Sequence, residues 1–295
     1  MKHPGIRQTV LPILAAMIWG TGFVAQSLGA NYLESFSFNA ARSAVAFVFL
    51  LSVCAARRKW RRVRPVPMRE LLTAGACCGT ALTIASYFQQ KGLETTSSGK
   101  AGFITALYIV IVPVLSLFLK KHAPGPVWAS IVLAVAGLYC LCINENFTLA
   151  KGDFYILLCA LCYSVHILVI DHFSVRVDGI EMSCVQFLTV TVLSSLGAAV
   201  FGEALTAEAL GLCLGPILYA GLFSSGIAYT LQILAQKDAN PTVVSLLLSL
   251  ESVFATIAGA VFLRERMSGR EYLGCALMFA AVILVQLPRR TPRLQ

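Results

Sequence analysis

The chain has 295 residues, 58% of them hydrophobic and 13% charged, and its 23 Lys and Arg against 14 Asp and Glu leave a formal charge of +9. Mean hydropathy is +0.78. Soluble domains carry about 25% charged and about 45–50% apolar residues, so this composition excludes a soluble domain and describes a polytopic membrane protein. The basic residues sit in short connectors between apolar runs, the placement of the positive-inside rule rather than of a nucleic-acid surface.

About 20 apolar residues cross a bilayer as a helix. That length predicts ten spans: 9–29, 36–56, 70–91, 99–119, 127–143, 153–171, 180–201, 210–234, 241–262 and 270–287. The first is expected to be a retained helix, since 10–30 is long for a signal core and no cleavage site is evident. Connectors too short for a soluble domain leave an all-α integral membrane fold. With the N-terminus inside, the inner connectors of the first half hold eleven basic residues (Lys2, Arg7, Arg57, Arg58, Lys59, Arg61, Arg62, Arg64, Arg69, Lys120 and Lys121), and the outer ones hold two, Lys91 and Lys100. Both termini, the tails 1–8 and 288–295, are therefore expected on the cytoplasmic side of the cell membrane, although Arg264, Arg266 and Arg270 fall outside on this count.

The two halves, 9–143 and 153–287, look alike. Tyr87-x-x-Gln90 in the third span recurs as Tyr229-x-x-Gln232 in the eighth. Each is followed by a short polar connector and then by a span with a central irregular point, Pro113 in the fourth and Ser252 in the ninth. Five spans per half is an odd number, so the repeats must have opposite topology. Inverted repeats with a midplane site at their interface mark alternating-access transporters.

Trp19-Gly20-Thr21-Gly22-Phe23, the segment Phe88–Pro113, and Tyr229–Glu251 with Arg264-Glu265-Arg266-Met267-Ser268 together resemble the drug/metabolite transporter superfamily, specifically its ten-helix EamA-type members, over nearly the full length. The resemblance implies two inverted five-helix repeats and a central cavity lined by spans 1–4 and 6–9, with spans 5 and 10 peripheral. It also implies export or exchange of small metabolites such as amino acids, nucleobases, sugars or toxic compounds. One position departs from the family pattern: Ser252 stands where a proline usually follows the ninth-span Glu. Without that proline the helix is expected to keep its backbone hydrogen bond and bend less.

Glu251 is the one formal charge inside 243–262. A carboxylate at that depth costs roughly 3 kcal/mol or more to insert, and such groups mark function by default. Low dielectric disfavours the charged form of a carboxyl, so protons are the expected coupling ion; a neutral packing role is the alternative. Trp19, too deep for an interfacial belt, is a cavity wall or a packing residue at a glycine notch. Arg42 either snorkels to the interface or faces the cavity and pairs with an acid or a substrate carboxylate; Gln26 and Asn39 are weaker polar candidates at similar depth. Tyr87, Gln90, Tyr229 and Gln232 combine ring surface with hydrogen-bonding ends suited to small polar solutes, or bond neighbouring helices. His166, near Tyr163, is a proton relay or a packing histidine.

Other motifs weaken on inspection. Cys159-x-x-Cys162 lies in an apolar helix without a second pair, so no metal is expected. His166 and Asp171 stand five residues apart, roughly 140° around a helix, and cannot easily share a face. Gly92–Lys100 has six residues between its glycines where a phosphate loop has four. Gly75-x3-Gly79 and Gly211-x3-Gly215 are candidate close-packing sites within or between chains. The sequence thus describes a secondary transporter, an exporter of small metabolites without cofactor or nucleotide-binding motif, rather than a lipid-modifying enzyme or a scaffold or sensor. Oligomeric state is not legible.

Overall fold

The computed structural model describes residues 6–60, 67–96, 98–119, 125–142, 151–237, 239–262 and 268–286. Lys2, Arg61, Arg62, Arg64, Lys120, Lys121, Arg264 and Arg266, on which the orientation count leans, lie outside these residues, as do the chain ends 1–5 and 287–295. Every regular element among the described residues is helical: α1 (Ile6–Ala30), α2 (Ser35–Trp60), α3 (Met68–Leu93), α4 (Ser98–Ala106), α5 (Tyr108–Phe118), α6 (Gly125–Cys142), α7 (Lys151–Phe173), α8 (Gly179–Phe201), α9 (Ala207–Leu212), α10 (Leu214–Leu218), a π-helical segment (Tyr219–Ala228), α11 (Tyr229–Gln236), α12 (Pro241–Leu248), α13 (Glu251–Phe262) and α14 (Gly269–Gln286). Eight stretches are long and apolar enough to cross a bilayer, and two shorter apolar helices, Val127–Cys140 and Tyr272–Leu284, fall where the fifth and tenth spans are expected. Large apolar side chains face outward, with Val132 70% and Val200 79% exposed. In water such a surface would be a liability; in a bilayer it is the lipid contact.

Packing pairs the first half of the chain with the second. Helix α1 lies against α12 and α13, and α7 lies against α4 and α5. Helix α3 packs on α7 and α8, while the π segment packs on α1 and α2. Two further pairs, α2 with α8 and α6 with α14, complete the set. Exchanging the halves leaves this list unchanged. The α3–α8 crossing is close because Gly75 and Gly79 are there: a Cβ on Gly79 would stand 2.7 Å from the Gln186 carbonyl oxygen and one on Gly75 would stand 2.4 Å from the Val185 side chain. That settles one motif as an intrachain contact. Gly211 and Gly215 have nothing within 4 Å of such a Cβ.

Both central irregular points differ from expectation. Pro113 lies inside α5, and the interruption of its span falls six residues earlier, at Leu107, whose N–H bonds to the Ile104 carbonyl in a tighter i→i−3 turn. A proline removes one bond from the helical ladder, which here leaves α5 continuous. The ninth span is broken between α12 and α13 although Ser252 replaces the proline. The Ser252 N–H turns to the Ser249 carbonyl (3.2 Å), and the Leu250 N–H turns to that of Leu247. The hydroxyls of Ser245, Ser249 and Ser252 donate to the carbonyls of Thr242, Leu246 and Ser249. Serine back-bonding of this kind competes with the ladder and bends helices, so three serines do what one proline does elsewhere. The eighth span also departs from a plain helix, since its middle is the π segment.

Candidate functional site

Trp19, Phe23 and Gln26 fall on one face of α1 at i, i+4 and i+7, the spacing that stacks side chains along a helix. That face borders a cavity whose other walls are Arg42 of α2, Gln89 of α3, Thr105 and Tyr108 flanking the α4–α5 break, Tyr163 and Ile167 of α7, Ser224 with Tyr229 and Gln232 around α11, and Leu248 and Glu251 flanking the α12–α13 break. The space not filled by atoms, including the part that opens to solvent, is about 430 Å³. All of these side chains are buried except Trp19, Ser224 included, and Trp19 is half-buried.

The two broken spans meet at the cavity. Tyr108 is the first residue of α5 and Glu251 the first of α13, and the Tyr108 hydroxyl donates to Glu251 Oε1 at 3.0 Å. Glu251 is 4% exposed, and its backbone lies in a first helical turn, where N–H groups have no intrahelical partner. Helix α1 can come this close because of Gly20, whose Cβ would stand 2.8 Å from the Glu251 carbonyl oxygen.

A second wall is a chain of rings and amides. Trp19 Nε1 donates to the Ser224 carbonyl (3.1 Å), and its ring lies 4.7 Å from that of Tyr229. The Tyr229 hydroxyl donates to that of Tyr163 (2.9 Å), which donates to Gln89 Oε1 (3.1 Å). A third group surrounds Arg42, which is 3% exposed and therefore does not snorkel. Its Nε donates to Asn39 Oδ1 (2.9 Å) and its Nη1 to Gln26 Oε1 (3.3 Å).

Of the residues singled out from sequence, Trp19, Arg42, Tyr229, Gln232 and Glu251 come together here with the weaker candidate Gln26, Asn39 reaches the site through Arg42, and three of the main candidates stand elsewhere. Tyr87 stacks on Phe36 with centroids 4.3 Å apart, away from the cavity. Gln90 turns to α1, where its Nε2 donates to the Gln26 carbonyl (3.0 Å). The cavity face of α3 carries Gln89 instead, one residue before Gln90 and two after Tyr87; a one-residue step is about 100° of rotation. His166 is 0% exposed and sits behind Tyr229, ring to ring at 5.8 Å, with Nε2 3.0 Å from Gln186 Oε1. Sequence reasoning passed over Gln89, Thr105 and Tyr108 and named Tyr163 only as a neighbour. A hydroxyl within the apolar run 103–112 was the available signal for Tyr108.

Ion pairs tie the halves at each end of the bundle. Ser35 Oγ donates to Glu94, so the start of α2 and the end of α3 share one end. There Lys100 Nζ lies 2.5 Å from Asp153 Oδ2, and Thr96 donates to the same carboxylate. At the far end of α2, Arg57 makes a two-pronged contact with Asp178 (2.8 and 3.1 Å) and Arg58 meets Glu181 (3.1 Å). Asp178 also caps α8, accepting from the N–H groups of Ile180 and Glu181. Burial opposes its ionisation, but the Arg57 hydrogen bonds and those two N–H donors outweigh it and hold the carboxyl below its ordinary value.

A family model described as the EamA-like transporter family matches the chain twice, over residues 8–143 and 150–287. The chain is 28% identical over 281 residues to an uncharacterized transporter of Archaeoglobus fulgidus, covering 93% of this chain and 84% of that protein. It is 28% identical to the WAT1-related protein At3g02690, chloroplastic, of Arabidopsis thaliana, covering 70% of this chain and 54% of that one. It is 24% identical to the uncharacterized transporter sll0355 of Synechocystis, covering 69% and 67%. A solved crystal structure, 20% identical, superposes with a TM-score of 0.76 over 94% of this chain and 96% of its own, a likeness of fold. The outward apolar faces and these relatives describe a multi-pass membrane transporter, and the chain belongs to the EamA-like transporter family.

Proposed function

We propose that the protein is a secondary transporter of the cytoplasmic membrane that exports small metabolites by alternating access, coupled to protons through Glu251. In this reading ten spans form two inverted five-helix repeats, 9–143 and 153–287, with both termini cytoplasmic. The observation that carries it is the meeting of the two interrupted spans at Tyr108 and Glu251, 3.0 Å apart, inside a cavity walled by both halves. Discontinuous helices at a repeat interface form the binding sites of this transporter class. The exchange-invariant packing and the twofold family match support the repeat.

The cavity holds a solute among rings and amides while its walls are closed. Rocking one half against the other opens one side by parting Lys100 from Asp153, and the other by parting Arg57 from Asp178. Opening brings water to Glu251, which exchanges its proton there and carries it, or its absence, through the closed state. Such a cycle needs no nucleotide.

The test uses purified protein in liposomes loaded with a metabolite extract and given a pH gradient. Specific solutes are expected to leave wild-type vesicles and to stay in protein-free ones. Equal retention in both would end the proposal.

A further inference from the structure

The cavity contains one permanent charge. An arginine guanidinium is a fixed cation, yet that of Arg42 is 3% exposed. Its hydrogen bonds go to two neutral amides, Asn39 and Gln26, and its Cζ lies 5.9 Å from the Phe38 ring centroid. The ion pairs among the described residues are Arg57–Asp178, Arg58–Glu181, Lys91–Glu94 and Lys100–Asp153, so no described carboxylate stands within 4.0 Å of Arg42. Glu251 borders the same cavity, but its hydrogen bond comes from Tyr108.

A buried cation is ordinarily paired, because low dielectric penalises an uncompensated charge. Here the amides hold Nε and Nη1 in place, while Nη2 makes no hydrogen bond to a described residue. A guanidinium fixed by neutral partners and left without an acid is complementary to a planar anion. The rest of the wall narrows the choice. Trp19, Phe23, Tyr229, Ile167 and Leu248 offer ring and aliphatic surface, which suits the carbon body of an organic solute and wastes itself on a hydrated inorganic ion.

We infer that the solute carries a carboxylate, which binds the free edge of Arg42 while its carbon body lies on the aromatic wall beside Trp19 and Tyr229. This rests on the transporter reading above and names the chemical class that reading leaves open.

The test measures binding to the purified full chain by tryptophan fluorescence and thermal stabilisation. The probes are matched pairs: aliphatic, aromatic and amino-acid carboxylates, each against its primary amide. In at least one pair the acid is expected to bind about 30-fold or more tightly than the amide, the scale on which losing one partner of a buried charge pair is felt. Arg42→Lys is expected to keep that preference and Arg42→Gln to lose it. If Arg42→Gln does not fold, the wild-type pairs and Arg42→Lys decide. Amides that bind as well as their acids overturn the inference, and so does a set in which no acid binds. A preference confined to amino acids supports the carboxylate contact and adds a requirement for the amine. The same protein in liposomes separates the two claims: acid-selective binding without flux sinks the transporter reading alone, and flux without acid preference sinks this inference alone.

Discussion

Replacing Gly20 by alanine is expected to force α1 away from α13 at the point where Glu251 is held. The new Cβ would stand 2.5 Å from Phe254 Cβ, 2.7 Å from the Ala255 amide nitrogen and 2.8 Å from the Glu251 carbonyl oxygen. Ordinary contacts lie at about 3.5–4.0 Å, so the helices must part by about 1 Å, and none of the three atoms is the yielding tip of a side chain. Overpacking of this kind costs about 1–3 kcal/mol, with backbone neighbours at the upper end. Alanine returns about 0.5–1 kcal/mol of helix propensity relative to glycine, leaving a net loss of about 2 kcal/mol. The control is two residues away, because a Cβ on Gly22 meets the Ser224 hydroxyl at 3.5 Å, an ordinary contact. Gly22→Ala should therefore match or slightly exceed wild-type stability. The assay compares thermal unfolding of both variants in one detergent and then their flux in liposomes. Gly20→Ala is expected to be the less stable and to lose about tenfold or more in rate, since a misplacement of about 1 Å can cost that much or more. Two variants equally stable and equally active would refute the close-approach reasoning.

At the Arg57 end, Asp178→Asn keeps a good helix cap and loses the half-buried ion pair, a loss of about 1 kcal/mol, whereas Asp178→Ala loses the cap as well and about 1 kcal/mol more; thermal unfolding ranks the two. Because the Asp178 carboxyl is held below its ordinary value, the stability it contributes is complete above pH 3.8 and is lost as pH falls through its lower folded value; in Asp178→Asn that part of the acid dependence is expected to vanish. In liposomes, Gln89→Leu should lower flux by about tenfold, the worth of one buried hydrogen bond, whereas Tyr87→Leu should change it less than about threefold. Ser252→Pro should cost about 1 kcal/mol rather than the ~3 kcal/mol of a mid-helix proline, because Ser252 already lies in the first turn of α13.

The parts of this molecule that were legible in sequence are those set by composition and by isolated exceptions to it. Apolar length announced the helices, and Glu251, Arg42 and Trp19 stood out because each is costly or unusual inside an apolar run. Features that depend on rotation about a helix axis were harder to read. Tyr87-x-x-Gln90 copies Tyr229-x-x-Gln232 in spacing, yet the π segment ahead of Tyr229 winds more residues into each turn and alters the face its own pair presents. Pattern matching therefore chose a register of α3 one residue away from Gln89. An irregular point at Ser252 was expected, but a full break before Glu251 was not, for another reason: proline is the familiar cause of a helix interruption, and the three serines that produce this one act only through carbonyls chosen in the folded chain.

The central claim is that Glu251 couples solute movement to protons inside a cavity shared by both halves. It is tested most directly by measuring, on one preparation of Glu251→Gln in liposomes, both solute exchange without a gradient and net transport driven by a pH gradient. Wild type is expected to show both, and the variant to keep exchange while losing the gradient-driven component. Full gradient-driven transport by Glu251→Gln would contradict the account.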